Sequence, residues 1–197
     1  MEKLTKMSAV SPEYNQSQIH PHKLALWVGI ATIIMMFGAF TSAYIVRRAA
    51  GNWYEFRLPD IFFYNTLVIL TSSVTIHLAY QAFKKGMEQR YKLLLLTTFI
   101  LGISFVVLQY QGWVALNAMG ATFTANPSST FVYVISGVHA AHVLGGVSAL
   151  IVAMVHGFVL PFKPTPRRRL RFELVVHYWH FVDILWVYLF IFFMIQS

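Results

Sequence analysis

Not one of the 197 residues is a cysteine. That excludes disulfides, thiolate metal sites and covalent haem attachment through a Cys-x-x-Cys-His motif. Charge is scarce too: Asp, Glu, Lys and Arg make up 11% of the chain, against about 25% in a soluble domain. A surface facing water on all sides cannot be built from so little. The polar N-terminal stretch MEKLTKMSAVSPEYNQSQIHPHK has no short apolar core and no small-residue cleavage site. It is therefore not read as a signal peptide, and the first apolar run is expected to act as its own insertion signal. Low-complexity segments, long linkers and internal repeats are also missing, so a single domain is expected.

What the chain has instead is apolar length. Hydrophobic residues make up 57% of it, and mean hydropathy is +0.60. Five runs, at 24–46, 61–83, 93–115, 130–160 and 174–195, each reach the ~20 residues a helix needs to cross about 30 Å of hydrocarbon. Within lipid the backbone must satisfy its own hydrogen bonds, and continuous runs of this length do so as helices. The expected fold is an all-α integral membrane protein: a polar segment at 1–23, then a bundle of five transmembrane helices over 24–197.

The net charge of +8 is distributed by side. Lys3, Lys6, Lys23, Lys84, Lys85, Arg90, Lys92, Lys163, Arg167, Arg168, Arg169 and Arg171 fall on one side of such a bundle, and only Arg47, Arg48 and Arg57 on the other. The positive-inside rule then puts the N-terminus in the cytoplasm and the C-terminus in the periplasm. Topology accounts for the basic excess, and PRRRLR between two spans is not read as a nucleic-acid site. At the inner surface Lys163, Arg167, Arg168, Arg169 and Arg171 are expected to attract anionic lipid head groups, at about 1 kcal/mol per basic residue.

Between the spans, KKGMEQRYK is a tight turn that makes spans 2 and 3 antiparallel neighbours. Ser128, Ser129 and Thr130 offer N-cap oxygens for span 4. Span 4 also has a small residue at every fourth position, Gly137, Ala141, Gly145, Ala149 and Ala153, which reads as a seam for close helix packing.

Span 5, FELVVHYWHFVDILWVYLF, carries ionisable groups that cost about 2.5 kcal/mol or more each at a bilayer centre. Turning about 100° per residue puts His177, His180 and Asp183 at about +40°, −20° and −80° from Glu173, a polar stripe down one side. Span 4 adds His139 and His142, three apart and on a shared face. Three readings are open on these grounds: a metal or haem site, a proton relay, or hydrogen bonds that fix helix register. A di-iron carboxylate site is excluded, because it needs more Glu than Glu173 and Asp183 supply. His77, Gln109 and Gln111 are read as interhelical hydrogen-bonding groups.

Span 5 resembles the last helix of haem–copper oxidase subunit III, with Glu173, Trp179, His180, Phe181, Asp183 and Trp186 on that family's pattern. Span 4 is similar at Gly137, His139, His142, Val143 and Gly146. Spans 2 and 3 agree more loosely, through Asn65-Thr66, Ser72-Ser73-Val74-Thr75, Lys85-Gly86 and Leu108-Gln109. The resemblance covers roughly residues 24–195 and is to the short bacterial form; many members have seven helices and hold phospholipids in a cleft formed with the first two.

The resemblance implies a non-catalytic subunit of a proton-pumping respiratory terminal oxidase in a bacterial plasma membrane. Such a subunit binds no haem or copper, which belong to partner subunits. It packs on the large catalytic subunit and supports its stability and proton uptake. Under this reading Glu173, His177, His180, Asp183, His139 and His142 form a structural polar network, not a catalytic, cofactor or metal site. The family's frequent carboxylate in the helix matching span 1 is replaced here by Thr32, and Gly112 stands near the place of a second acid, so roles of those acids do not carry over. The alternatives are the related accessory membrane protein of nitric oxide reductase and a free-standing b-type cytochrome using the span 4 and span 5 histidines. A proton-coupled transporter is disfavoured, since inverted repeats and broken helices are missing.

Overall fold

The computed structural model describes residues 21–162 and 165–196. They form five helices and no strand: α1 (Pro21–Ala49), α2 (Ile61–Lys84), α3 (Glu88–Ala118), α4 (Pro127–Phe158) and α5 (Pro166–Gln196). All five are long and apolar enough to cross a membrane. At 1.5 Å per residue the shortest spans about 36 Å and the longest about 48 Å, so the helices run past the hydrocarbon into the head-group zone. That explains why the basic run Arg167–Arg171, expected in a loop, forms the start of α5.

Four helices make the core unit. α2 lies beside α3, α3 beside α4, α4 beside α5 and α5 beside α2, closing a ring. α1 stands outside it and packs only on α4 and α5. The α2–α3 turn is closed by Gly86 at φ 71°. The Gly86 and Met87 amides donate to the carbonyls of Phe83 and Ala82, the paired bonds of a Schellman cap, which needs a left-handed residue where Gly carries no Cβ penalty.

The cap of α4 differs from the expected one. Asn126, not Ser128, Ser129 or Thr130, is the N-cap: its side chain accepts from the Ser128 amide, and Pro127 follows it. The Ser129 and Thr130 hydroxyls donate instead to the carbonyls of Thr122 and Phe123 in the preceding loop. Asn126 also accepts from the Tyr54 amide and donates to the Asn52 carbonyl, tying the two loops at that end together.

The small-residue seam on α4 is corrected as well. Ala141 and Gly145 are exposed, and the buried face runs through Val132, Ile135, His139, Val143, Gly146 and Leu150. Residues four apart turn 400°, so each step of such a series drifts about 40° and five of them cannot hold one face. The glycines that do admit a neighbour are elsewhere. A Cβ on Gly102 of α3 would stand 2.7 Å from the Trp179 ring, and one on Gly146 of α4 would stand 3.0 Å from it. The Trp179 indole therefore lies between two bare backbones. Gly112 receives Phe62, and Gly157 receives Tyr91, in the same way.

Candidate functional site

Polar groups inside the bundle concentrate where α5 meets α2. The two helices run antiparallel, and three hydrogen bonds cross between them: Trp179 Nε1 donates to Ser72 Oγ at 3.0 Å, His180 Nδ1 and Ser73 Oγ share a bond of 2.7 Å, and Trp186 Nε1 donates to Thr66 Oγ1 at 3.0 Å. Trp179, Trp186 and Ser72 are fully buried. An indole N–H in hydrocarbon has no water to turn to, so a hydroxyl opposite it fixes the register of the pair. Each such bond contributes about 0.6 kcal/mol on average in a membrane, and up to about 1.7.

Glu173, His177, His180 and Asp183 do share a helix side, but they meet different surroundings. Glu173 Oε1 is 2.7 Å from Lys23 Nζ of α1, a half-exposed ion pair at the basic end of the bundle. His177 is exposed, and its Nδ1 lies 2.7 Å from the Glu173 carbonyl of its own helix. His180 joins Ser73 of α2, with its ring 5.8 Å from that of His77. Asp183 is 1% exposed; neither carboxylate oxygen meets the geometry of a full hydrogen bond among the described residues, and the Ser73 hydroxyl is the hydrogen-bonding group set beside it.

On α4, His139 and His142 also separate. His139 is fully buried, and neither ring nitrogen has a partner among the described residues. Its ring is enclosed by Trp186 at 5.1 Å, Phe105 at 5.8 Å and Phe37 at 6.3 Å. His142 turns its Nδ1 to the Val138 carbonyl at 2.7 Å and packs beside Phe37. The Tyr178 hydroxyl of α5 donates to the His142 carbonyl at 3.1 Å, but no hydrogen bond among the described residues joins the ring of His139 or His142 to Glu173, His177, His180 or Asp183.

Could these histidines hold a haem? A porphyrin needs an open slot beside its axial ligand. Around His139 that space is filled by Trp186, Phe105 and Phe37, and the local packing does not fit the group. Among the described residues no three His, Asp or Glu side chains converge as a metal site.

The remaining expected groups are placed as follows. Gln109 Oε1 accepts from Asn65 Nδ2 at 2.9 Å, a buried α2–α3 bond. Gln111 is exposed. The interhelical bond expected of His77 is not formed, since no described residue hydrogen-bonds its side chain. Thr32 is exposed and donates to the Gly29 carbonyl. Arg167 and Arg169 are exposed, while Arg168 and Arg171 line a cavity of about 310 Å³ between α4 and α5, together with Ala153, His156, Phe162 and Val175. Lys163, expected beside them, lies outside the described residues, as do residues 1–20 of the polar N-terminal segment. Sequence reading missed Lys23 as the partner of Glu173, and Thr66, Ser72 and Ser73 as partners of Trp186, Trp179 and His180. The hydroxyl run in span 2 was the visible signal; its pairing with α5 was not.

The family model described as cytochrome c oxidase subunit III matches residues 55–197, a stretch that contains all the α2–α5 bonds. The chain belongs to the cytochrome c oxidase subunit III family. A Mycobacterium bovis protein named probable cytochrome c oxidase subunit 3 is 29% identical over 186 residues, covering 88% of this chain and 90% of its own length. Proteins of the same name from Rickettsia felis and Rickettsia bellii are 34% and 30% identical, covering 87% and 95% of this chain and 69% and 73% of their own. As a family member the chain is a multi-pass membrane subunit of an oxidase complex.

Proposed function

We propose that this chain is the non-catalytic subunit III of a proton-pumping respiratory terminal oxidase in a bacterial plasma membrane. Its N-terminus lies in the cytoplasm and its C-terminus in the periplasm. It packs on the large catalytic subunit, supports that subunit's stability and proton uptake, and leaves haem and copper to its partners. Residues 24–197 act as one transmembrane domain. The observation that carries the reading is the use to which the last-helix motif is put. Trp179 and Trp186 spend their indole N–H groups on Ser72 and Thr66, and His180 its Nδ1 on Ser73, bonds that hold helices rather than a reactive group. Glu173, His177, His180, Asp183, His139 and His142 are in this view structural, and the crowding of His139 speaks against the b-type cytochrome.

At the basic end, Arg168 anchors the α4–α5 connection by donating to the Pro161 carbonyl at 2.7 Å. Arg167, Arg169 and Arg171 have no acidic partner among the described residues, and these three, with the Lys163 that the sequence places beside them, would meet anionic head groups.

The test is a reduced-minus-oxidised spectrum with metal analysis on tagged protein from its native membrane. One sample is kept in mild detergent and another stripped of partners in harsh detergent. Haem and copper in the first sample and neither in the second is the expected result, with mass spectrometry naming the partners. Haem that survives stripping would make the histidines ligands and overturn the reading. Nitric oxide reductase subunits among the partners would replace the oxidase with that complex.

A further inference from the structure

Polar side chains at the depth of the hydrocarbon belong inside a bundle, against a partner, or folded back on their own helix. Most exposed hydroxyls here take the last course. Thr71, Thr97, Ser104 and Ser148 each donate to the carbonyl four residues earlier. Such groups can face acyl chains, since no donor is left open.

The outer groove between α2 and α5 follows that pattern only in part: His177 folds its Nδ1 back on its own helix, and His77 does not. His77 and His177 are exposed, and His180 and Ser73 are half-buried between them. His77 has no hydrogen bond among the described residues. His177 and His180 each spend Nδ1, on the Glu173 carbonyl and on Ser73, and each keeps Nε2 unspent. His77 is seven residues from the end of α2 at Lys84, about 10 Å along the axis, and Ser73 lies about 16 Å from it, near the middle of the bilayer. Three imidazoles with open ring nitrogens thus sit on one lipid-level face. Elsewhere, His142 and His156 of α4 also keep Nε2 unspent, with Nδ1 on the carbonyls of Val138 and Val152, but they stand about 21 Å apart along their helix and not side by side. Apolar side chains flank the imidazoles: Leu70, Val74 and Leu78 on α2 and Ile184 on α5 are all exposed.

We propose that in the assembled oxidase this groove is covered by a transmembrane helix of another subunit, which presents hydrogen-bonding side chains at the depth of His77 and His180. The proposal rests on the reading of the chain as an oxidase subunit and names the face by which it docks. A lipid fits less well: its acyl chains carry no hydrogen-bonding group, and its head group lies at the surface, outward of His77. A helix supplies both what the imidazoles need and an apolar surface for Val74, Leu78 and Ile184.

Because the chain has no cysteine, a single one can be placed at will. Val74→Cys and Leu78→Cys in the groove, and Ser148→Cys on the exposed face of α4, would each be coupled to a thiol-linked photo-crosslinker in native membranes. The two groove positions are expected to give an adduct with an oxidase subunit. In parallel, His77→Leu with His177→Leu should lower recovery of haem-bearing partner on the tagged chain by about threefold for each bond lost, roughly tenfold together. Melting of the partner-stripped chain should be unchanged, which separates lost docking from lost folding.

Groove adducts only with lipid or with a second copy of this chain would overturn the proposal, as would oxidase adducts from Ser148→Cys alone. Both leave the oxidase reading intact. A wild-type chain that retains no oxidase subunit in mild detergent would instead sink the functional reading, and this proposal with it.

Discussion

Trp179 shows how much of this bundle is decided by single atoms. Its ring is held between Gly102 and Gly146 while its N–H reaches Ser72, so packing and hydrogen bonding are satisfied by one rotamer. Gly102→Ala would put a methyl 2.7 Å from the rigid indole, with Val147 behind it at 3.5 Å. Overpacking of this kind costs about 1–3 kcal/mol, and the melting temperature of the purified subunit in detergent is expected to fall. Gly38→Ala is the matched control, with nothing within 4 Å of its new Cβ; it should be neutral or slightly stabilising, as Ala is the better helix former. Equal losses from both would mean that Trp179 packing is not what the glycine provides. At this scale the sequence told residue types but not partners. The stripe on span 5 was readable from 100° geometry, yet Lys23 stands 150 positions before Glu173, and local spacing holds no trace of that contact.

The helices themselves were legible because the bilayer demands them: a run of some twenty apolar residues has few other ways to satisfy its backbone. Their ends were not. α5 begins at Pro166 and α3 at Glu88, earlier than the apolar runs at 174 and 93, since hydropathy registers only the hydrocarbon and helices continue through charged residues into the head-group zone. Helix adjacency was partly legible, through the short α2–α3 turn. The peripheral place of α1 was not, and it bears on stability. Of the other helices α1 touches only α4 and α5, and its basic end is held by Lys23 to Glu173 at 2.7 Å with both side chains partly exposed. Such a pair contributes up to about 1 kcal/mol. Lys23→Gln is expected to speed amide hydrogen exchange in the first turns of α1 while leaving α2 and α3 protected. The exchange of charges, Lys23→Glu with Glu173→Lys, should restore protection. If the swap fails to do so, the contact is incidental to how α1 is attached.

For the whole molecule, the proposed orientation in the membrane rests on the uneven placement of charge. The α2–α3 turn and the α4–α5 connection lie at one end and carry Lys84, Lys85, Arg90 and Lys92 with Arg167, Arg168, Arg169 and Arg171. The opposite end carries Arg47, Arg48 and Arg57, of which Arg48 is paired with Glu55 at 3.0 Å and Arg57 lies 3.9 Å from Asp60. Net positive charge is therefore concentrated at one end, and an anionic inner leaflet attracts it by about 1 kcal/mol per basic residue. Sided labelling of single cysteines tests the orientation that follows. Met87→Cys, in the basic turn, should react with a membrane-impermeant maleimide in inverted vesicles and stay protected in intact spheroplasts. Thr124→Cys, in the uncharged loop before α4, should behave in the opposite way. Labelling of Met87→Cys from outside would reverse the orientation, and the arginines at the start of α5 would then face the periplasm, on the side where the positive-inside rule disfavours them.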